Sequence, residues 1–261
     1  EVASHLVKRM RKDIIHWMKD NTVFPERESI EAGYELSDEY GRLFNKVLLF
    51  SQNLMKSYDT TKRMHYWAML GLLRGIMSSP DAGVLMLQNK IAGIDPESNL
   101  YQDNGDVENP VLDDDYSLNQ DSLPEQVMSQ SDWSETQLKY FREFRKDLEQ
   151  LAEINKDSKV KASYNVIVDW VASGYSPVIY CRYIATANYL KKMLEPILKT
   201  KWKNIDVRCV TSEVPDDIRE EIIKEMIHSE RRVLIATDCL SEGINLQDTF
   251  NAVMHYDLPW N

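Results

Sequence analysis

Short apolar runs alternate with amphipathic stretches over the last third of this 261-residue chain, from Gly174 onward. The apolar runs are PVIYC, IDVRCV, RRVLIATD and AVMHYD. Amphipathic stretches predicted to be helices come after the first two runs, over residues 185–198 and 216–227. Strands and helices in this order predict an α/β fold with a parallel sheet wrapped by right-handed crossovers.

Ligands of parallel sheets gather where the strands end, at the carboxyl edge of the sheet. Four stretches of this sequence are expected there. They are residues 181–183, residues 211–213, residues 237–245, and the end of the chain from Asp257.

The first half of the chain is predicted to be mainly helical. Ser37 precedes a helix over residues 38–58, and a second helix over residues 62–77 stops at SSPDAG, so that the two pack as a hairpin. Before them, apolar residues alternate with polar ones in RESIEAGYEL, which predicts a half-buried strand. Ser134 and Gln137 form a capping box that begins a later helix, and another helix is predicted over residues 158–172.

The net charge of −11 has a local origin. Residues 95–135 contain 12 acidic residues and no Lys or Arg, which leaves 30 acidic against 31 basic residues elsewhere. The remainder is therefore nearly neutral and can present a basic face to a nucleic acid. The segment itself lacks periodicity and is expected to be a mobile insertion or linker.

Several classes of protein are disfavoured by composition. No apolar run approaches a membrane span, and the first residues do not resemble a signal peptide, so a cytoplasmic protein is expected, associated with the nucleoid if bacterial. Cys181, Cys209 and Cys239 lie in separate apolar runs, which favours buried thiols over a metal site or disulfides.

The stretches ATD, SEGINLQ and HYDLPWN, within residues 236–261, carry the strongest signal. By shape alone, a strand that passes into a Gly-containing loop can bind a phosphate or can be an ordinary α/β loop. In order and spacing, however, these stretches resemble motif V and the approach to motif VI of superfamily-two helicases. The SEGxNxQ and DLPWN forms look most like the bacterial and archaeal Swi/Snf-type branch. HLVKRMRKDI, LLRGIMSSP, SPVIYCRY and VTSEVPDDIREEIIKEM are also similar to this family.

The resemblance implies a RecA-like, P-loop NTPase-like second motor lobe preceded by a helical region. It divides the chain into five segments: residues 1–37, the exit from the first motor lobe; 38–94, a helical hairpin insertion; 95–133, the acidic linker; 134–156, a helix; and 157–261, the second motor lobe, ending before motif VI.

The resemblance also implies site residues. Six would lie on the DNA backbone: Arg182, Thr211, Ser212, Thr237, Asp238 and Ser241. Three would lie on ATP: Glu242, Gly243 and Asn245. Two of these positions have a purely structural alternative. Thr237 can cap a strand end, and Gly243 can be required only for the φ angle of the backbone at that position.

No glycine in the chain begins a GK[ST] sequence, and Asp38–Glu39 fits a helix start better than a metal site. ATP hydrolysis with Mg²⁺ is therefore expected of a parent protein, with this fragment alone inactive and its Mg²⁺ ligands elsewhere. The expected partners are the backbone of duplex DNA, without sequence preference, and the first motor lobe of the same chain. Two alternatives are a related RNA or DNA helicase and a non-catalytic module that binds DNA or protein.

Overall fold

The computed structural model describes residues 28–55, 60–92, 133–240 and 245–257. The chain divides into two compact units, residues 1–32 and 33–261. The first unit is described only from residue 28, where it is exposed and has no regular structure. Predictions for the basic N-terminal run and for the acidic segment lie outside the described residues.

Four helices come first in the second unit: α1 (Asp38–Met55), α2 (Thr60–Ser78), α3 (Pro80–Ile91) and α4 (Glu135–Leu151). They surround one apolar core, to which α1 contributes Tyr40, Leu43 and Val47. These residues recur at helical spacing, so a single stripe of α1 faces the other helices. The packing of α1 on α2 agrees with the predicted hairpin.

The capping box predicted from Ser134 and Gln137 is confirmed at the start of α4. The Ser134 hydroxyl accepts from the Gln137 N–H at 3.4 Å, and the Gln137 side chain accepts from the Ser134 N–H at 2.8 Å. Two of the N–H groups that a helix start leaves without helical partners are thereby satisfied.

Helix α3 was not predicted from the sequence. The SSPDAG stretch does end α2, but it also begins α3, because the Ser79 hydroxyl accepts from the Ala82 N–H at 3.1 Å and Pro80 occupies the first turn. Proline is tolerated there because that position needs no backbone donor. The same residues therefore end α2 and begin α3.

The prediction of a strand over RESIEAGYEL is wrong for residues 28–36, the part of this stretch that the structure describes. This stretch forms no strand, and Ile30 and Tyr34 are 66% and 38% exposed. Alternating apolar residues indicate one-sided burial, but a strand also needs a neighbouring strand with which to exchange backbone hydrogen bonds. Among the described strands none pairs with this stretch.

The rest of the unit alternates helices and strands in the predicted order. The elements are α5 (Ser158–Ala172), β1 (Pro177–Tyr180), α6 (Ile184–Lys201), β2 (Ile205–Val210), α7 (Asp216–Met226), β3 (Arg231–Ala236) and β4 (Ala252–His255). The described strands form one parallel sheet in the order β2-β3-β1-β4. The predicted α/β fold with a parallel sheet is confirmed.

Both faces of the sheet are covered. Ile179, Val207 and Ile235 point toward the layer that includes α5 and α6, whereas Leu234 and Ala236 belong to the cluster that includes Ile223 and Met226 of α7. Successive residues of a strand face opposite sides, so burial on both sides requires the continuous apolar runs seen in the sequence. Among the described helices none is long and apolar enough to cross a membrane.

Gly83 and Gly41 offer a matched test of the helical core. A Cβ on Gly83 would lie 2.8 Å from Ile76 Cγ1 and 2.9 Å from Leu148 Cδ1, whereas one on Gly41 would meet nothing within 4 Å. We expect Gly83→Ala to lower the free energy of unfolding by about 1–2 kcal/mol, because overpacking outweighs the gain in helix propensity. Gly41→Ala should raise it by roughly 0.5–1 kcal/mol. Urea unfolding followed by circular dichroism checks both signs, and equal shifts in the two variants would contradict the close packing at Gly83.

Candidate functional site

The loops that leave the four strands meet at one edge of the sheet. Val210 of β2 pairs with Ala236 of β3, Ala236 pairs with Tyr180 of β1, and Tyr180 pairs with His255 of β4. The strand ends are therefore level with one another. With neighbouring strands about 4.8 Å apart, the row spans roughly 15 Å. The described parts of the four stretches predicted to lie at the carboxyl edge are brought together there.

The loop after β2 holds Thr211 and Ser212 in a firm turn. The Val214 N–H donates to the Thr211 carbonyl at 3.1 Å, and Arg219 of α7 donates to the Ser212 carbonyl at 2.9 Å and the Val214 carbonyl at 2.6 Å. Thr211 is buried and Ser212 is half-buried. Arg219, which the sequence did not single out, thus fixes the backbone that carries two of the predicted phosphate contacts.

Thr237 comes directly after β3 in the middle of the row and is fully buried. Its hydroxyl donates to Cys239 Sγ at 3.4 Å, and its N–H donates to the Val210 carbonyl at 3.3 Å. A phosphate that binds this hydroxyl would therefore replace the contact with Cys239. The geometry agrees with the structural role considered for Thr237, since the residue closes the strand end, and its contact with a phosphate stays a prediction.

Asp238 is exposed beside Thr237 and begins a short 3-10 helix that ends at Leu240. Burial and the nearby Asp238 carboxylate together raise the pKa of Tyr180 above its ordinary value. A carboxylate in this place repels anions, so any phosphate bound at this edge would have to be held by the hydroxyls and amides around it.

Asn245 is the one predicted ATP contact among the described residues, because Glu242 and Gly243, like Ser241, lie outside them. Its side chain is exposed and holds its own loop: Oδ1 accepts from the Gln247 N–H at 3.1 Å, and Nδ2 donates to Asp248 at 3.2 Å. The residues that the structure describes contain no group of three or more His, Cys, Asp or Glu side chains placed to hold a metal ion.

The loop after β1 is tied to the loop after β4. The backbone N–H of Arg182 donates to Asp257 Oδ2 at 3.0 Å, and the Tyr256 N–H donates to the Tyr180 carbonyl at 2.9 Å. Asp257 was predicted only as part of the edge. Its partners Lys159 and Ser78, and Thr186 behind Ser78, were not anticipated as site residues.

The three cysteines are free thiols. Cys181 lies directly after β1 and is fully buried, and burial raises its pKa well above the ordinary value. Burial also raises the pKa of Cys209 to about 12. Both thiols are therefore protonated near neutral pH and are poor nucleophiles, which leaves them a packing role.

Comparison with known proteins finds similarity in the C-terminal part of the chain. Residues 158–261 match the family described as the helicase conserved C-terminal domain. An ATP-dependent RNA helicase eIF4A of Scheffersomyces stipitis is 34% identical over 84 residues, which cover 32% of this chain and 19% of the relative. The probable eukaryotic initiation factor 4A of Trypanosoma cruzi is 29% identical over 94 residues, covering 36% and 23%. The chain thus spans about a fifth of the length of these curated relatives.

Two solved structures align with this chain at lower sequence identity. The SWI2/SNF2 ATPase C-terminal domain of Sulfolobus solfataricus shares 14% identity at a TM-score of 0.34, over 48% of this chain and 58% of that one. The C-terminal part of the Fun30 ATPase domain shares 15% identity at a TM-score of 0.47, over 87% and 73%.

The fold and the family match define the class of the domain. The described residues from Ser158 onward form a RecA-like α/β lobe preceded by helices, and residues 158–261 match the helicase conserved C-terminal domain. This lobe resembles the second lobe of helicase-like ATPases, as the sequence indicated.

Two buried tyrosines, Tyr189 and Tyr256, differ in their hydrogen bonds. Tyr189 donates to Asp157 Oδ2 at 3.1 Å, whereas the Tyr256 hydroxyl has no hydrogen-bond partner among the described residues. We expect Tyr189→Phe to lower the free energy of unfolding by about 1–3 kcal/mol, because the buried Asp157 carboxylate loses a donor. Tyr256→Phe should change it by less than about 1 kcal/mol. Thermal or denaturant unfolding of both variants measures the difference, and a large loss in Tyr256→Phe would show that its hydroxyl is bonded in solution.

Proposed function

We propose that this chain is the second motor lobe of an ATP-dependent translocase of the Swi/Snf type that moves along duplex DNA. The main observation in support is that one edge of the sheet carries a row of four predicted site residues, Arg182, Thr211, Ser212 and Thr237. The lobe that contains this edge matches the helicase conserved C-terminal domain. The SEGxNxQ and DLPWN forms support its bacterial and archaeal branch.

Hydroxyls, backbone amides and one arginine are groups that bind phosphate oxygens and do not read base edges. The proposed contact with DNA is therefore with the backbone and independent of sequence. The charge distribution permits it, because the acidic residues between 95 and 135 account for the net charge and the remainder is nearly neutral. A cytoplasmic location, associated with the nucleoid in a bacterium, goes with this proposal.

ATP hydrolysis is proposed for the whole protein. Glu242, Gly243 and Asn245 would line one side of the nucleotide, while the 261 residues contain no GK[ST] sequence to hold its β- and γ-phosphates. Phosphoryl transfer depends on charge neutralisation by Mg²⁺ and basic side chains around the transferred group. The first motor lobe would supply the phosphate-binding loop and the Mg²⁺ ligands, so the chain alone should not hydrolyse ATP.

A second candidate is an RNA helicase of a related group. It is favoured by the names of the curated relatives, which include an ATP-dependent RNA helicase at 34% identity over 84 residues. Both candidates use the same sheet edge, because both bind a phosphate backbone. The nucleic acid that the chain prefers separates them.

Duplex DNA binding tests the first candidate directly. We expect a fluorescein-labelled 20-base-pair duplex to bind the chain with an affinity that falls with salt and is the same for unrelated sequences. Arg182→Ala should reduce the slope of log K against log salt by about 0.9, the loss of one phosphate contact. Fluorescence anisotropy at several NaCl concentrations measures this.

Arg142→Ala is the matched control, because Arg142 is exposed and pairs with Glu135 at 3.5 Å on α4, a helix that packs against α1 and α3. It should leave the slope unchanged. Preference for single-stranded RNA over duplex DNA would support the RNA helicase. Absence of binding to any nucleic acid would overturn both and favour a protein-binding module.

The Thr237 hydroxyl can be removed without emptying its buried position. In the whole protein, we expect Thr237→Val to lower DNA-stimulated ATP hydrolysis about tenfold, since a hydrogen bond to a charged group contributes roughly 1.5–3 kcal/mol. Gly243→Asp should also lower it strongly, because a carboxylate would face the phosphates. Thr249→Val is the control, because Thr249 is also buried but lies before β4, at the opposite edge. Unchanged stimulation in both Thr237→Val and Gly243→Asp would contradict the motif V assignment.

A further inference from the structure

A compact polar cluster lies directly beneath the carboxyl edge, where the helical region meets the sheet. It consists of Ser78 and Ser79 at the junction of α2 and α3, Lys159 of α5, Thr186 of α6 and Asp257 after β4, and is called the Asp257 cluster below. Its members come from widely separated parts of the sequence. No step of the proposed function uses it.

Lys159 is the cation of the Asp257 cluster. Its ammonium group lies 2.8 Å from Asp257 Oδ1, 3.1 Å from the Met77 carbonyl and 3.4 Å from the Ser78 carbonyl. It also lies 3.9 Å from the centre of the Tyr256 ring. Lys159 therefore closes the carboxyl end of α2, where helix carbonyls lack backbone donors and a positive charge is favourable, while it neutralises Asp257.

The hydroxyls of the Asp257 cluster form a chain with one consistent direction. Ser78 donates to Asp257 Oδ2 at 2.8 Å, and because a hydroxyl has one proton, Ser78 must accept from Thr186 at 2.7 Å. Thr186 must then accept from Ser79 at 2.8 Å, and Ser79 accepts from the Ala82 N–H. The carboxylate thus sets the orientation of three hydroxyls and of the cap of α3.

The same carboxylate oxygen that Ser78 reaches also accepts the backbone N–H of Arg182 at 3.0 Å. The Lys159 and Asp257 side chains are only 14% and 10% exposed. In such a site a charged group must have most of its hydrogen-bonding positions filled, because water is largely excluded. Asp257 therefore has one well-defined place, and the start of the Arg182 loop is defined with it.

We propose that Asp257 and Lys159 are positioning residues that set the place of Arg182 on the nucleic-acid edge and link that place to the end of helix α2. The part that concerns nucleic acid rests on the proposed function. A displacement of α2 relative to the sheet moves the carbonyls that hold Lys159 and so moves Asp257. The helical region is, on this view, a control element for the phosphate-binding row.

Amide hydrogen exchange, resolved by NMR, tests the positioning without any nucleic acid. In Asp257→Ala the Arg182 amide should exchange at least tenfold faster, as expected for loss of a hydrogen bond to a charged group. Two neighbouring amides are internal controls, because Cys181 donates to the Ala236 carbonyl at 2.8 Å and Tyr256 to the Tyr180 carbonyl at 2.9 Å. Their exchange should change by less than about twofold if the strands persist.

Two further variants separate the roles of the cluster. Asp257→Asn retains an oxygen that can accept from the Arg182 N–H, so Arg182 exchange should stay within about threefold of the unaltered chain. Lys159→Met keeps the length of the side chain without its charge and should speed Arg182 exchange several-fold. Lys46→Met is the control, because Lys46 forms an ion pair with Asp147 at 2.7 Å between α1 and α4.

The outcomes are distinct. Unchanged Arg182 exchange in Asp257→Ala overturns the proposal, and so does equal acceleration of Arg182, Cys181 and Tyr256, which would mean general loosening. With duplex DNA, Lys159→Met should weaken binding about as much as Arg182→Ala, and the double variant should bind no more weakly than either single one. If the unaltered chain binds no DNA while Arg182 exchange responds as expected, the proposed function fails and the positioning by Asp257 stands.

Discussion

The parallel pairing of β1 with β3 is the constraint on which the rest of the lobe depends. Ala236 lies between Val210 and Tyr180 in the sheet, so the end of β3 is flanked by the ends of β2 and β1. Because all the described strands run the same way, the loops that leave them gather at one edge, and the helices that return the chain cover both faces. Residues far apart in sequence thereby become neighbours.

That arrangement concentrates polar groups at the boundary of a dry core, where each needs a partner. Thr211, Thr237, Thr186 and Ser79 are all buried. Asp157 illustrates the energetic balance: burial raises its pKa, although the Val160 N–H, the Tyr189 hydroxyl and Lys159 favour the charged form. An ion pair such as Lys159–Asp257 adds little to net stability after desolvation, but removing one partner leaves a buried charge. Such a pair defines geometry more than it adds stability.

Much of this architecture could be predicted from the sequence because its signals are local. The run RRVLIATD contains a strand buried on both faces, and Ser134 with Gln137 specifies a helix start. Position at the carboxyl edge could be deduced from the strand ends, and the assignment to phosphate came from motif resemblance. The individual contacts of the site residues with DNA and ATP stay predictions.

Other features depend on distant partners, which periodicity does not reveal. Lys159 and Asp257 are separated by 98 positions, and neither stands in a pattern that names the other. Ser79–Pro80 fits the end of one helix as well as the start of the next, so α3 was missed. The alternation around Ile30 indicated a strand, but a strand exists only with a pairing partner.

The contact between the Thr237 hydroxyl and Cys239 Sγ keeps this buried hydroxyl hydrogen-bonded when no phosphate is present. A buried hydroxyl that bound a phosphate and then lost it would be left unsatisfied, at a cost of about 1–3 kcal/mol. With the weak sulfur acceptor of Cys239 beside it, the hydroxyl would change partners instead. In the proposed motor, which must bind and release the strand in every cycle, the substitute acceptor would lower the free-energy cost of release, while a charged phosphate oxygen would be the stronger acceptor when DNA is present.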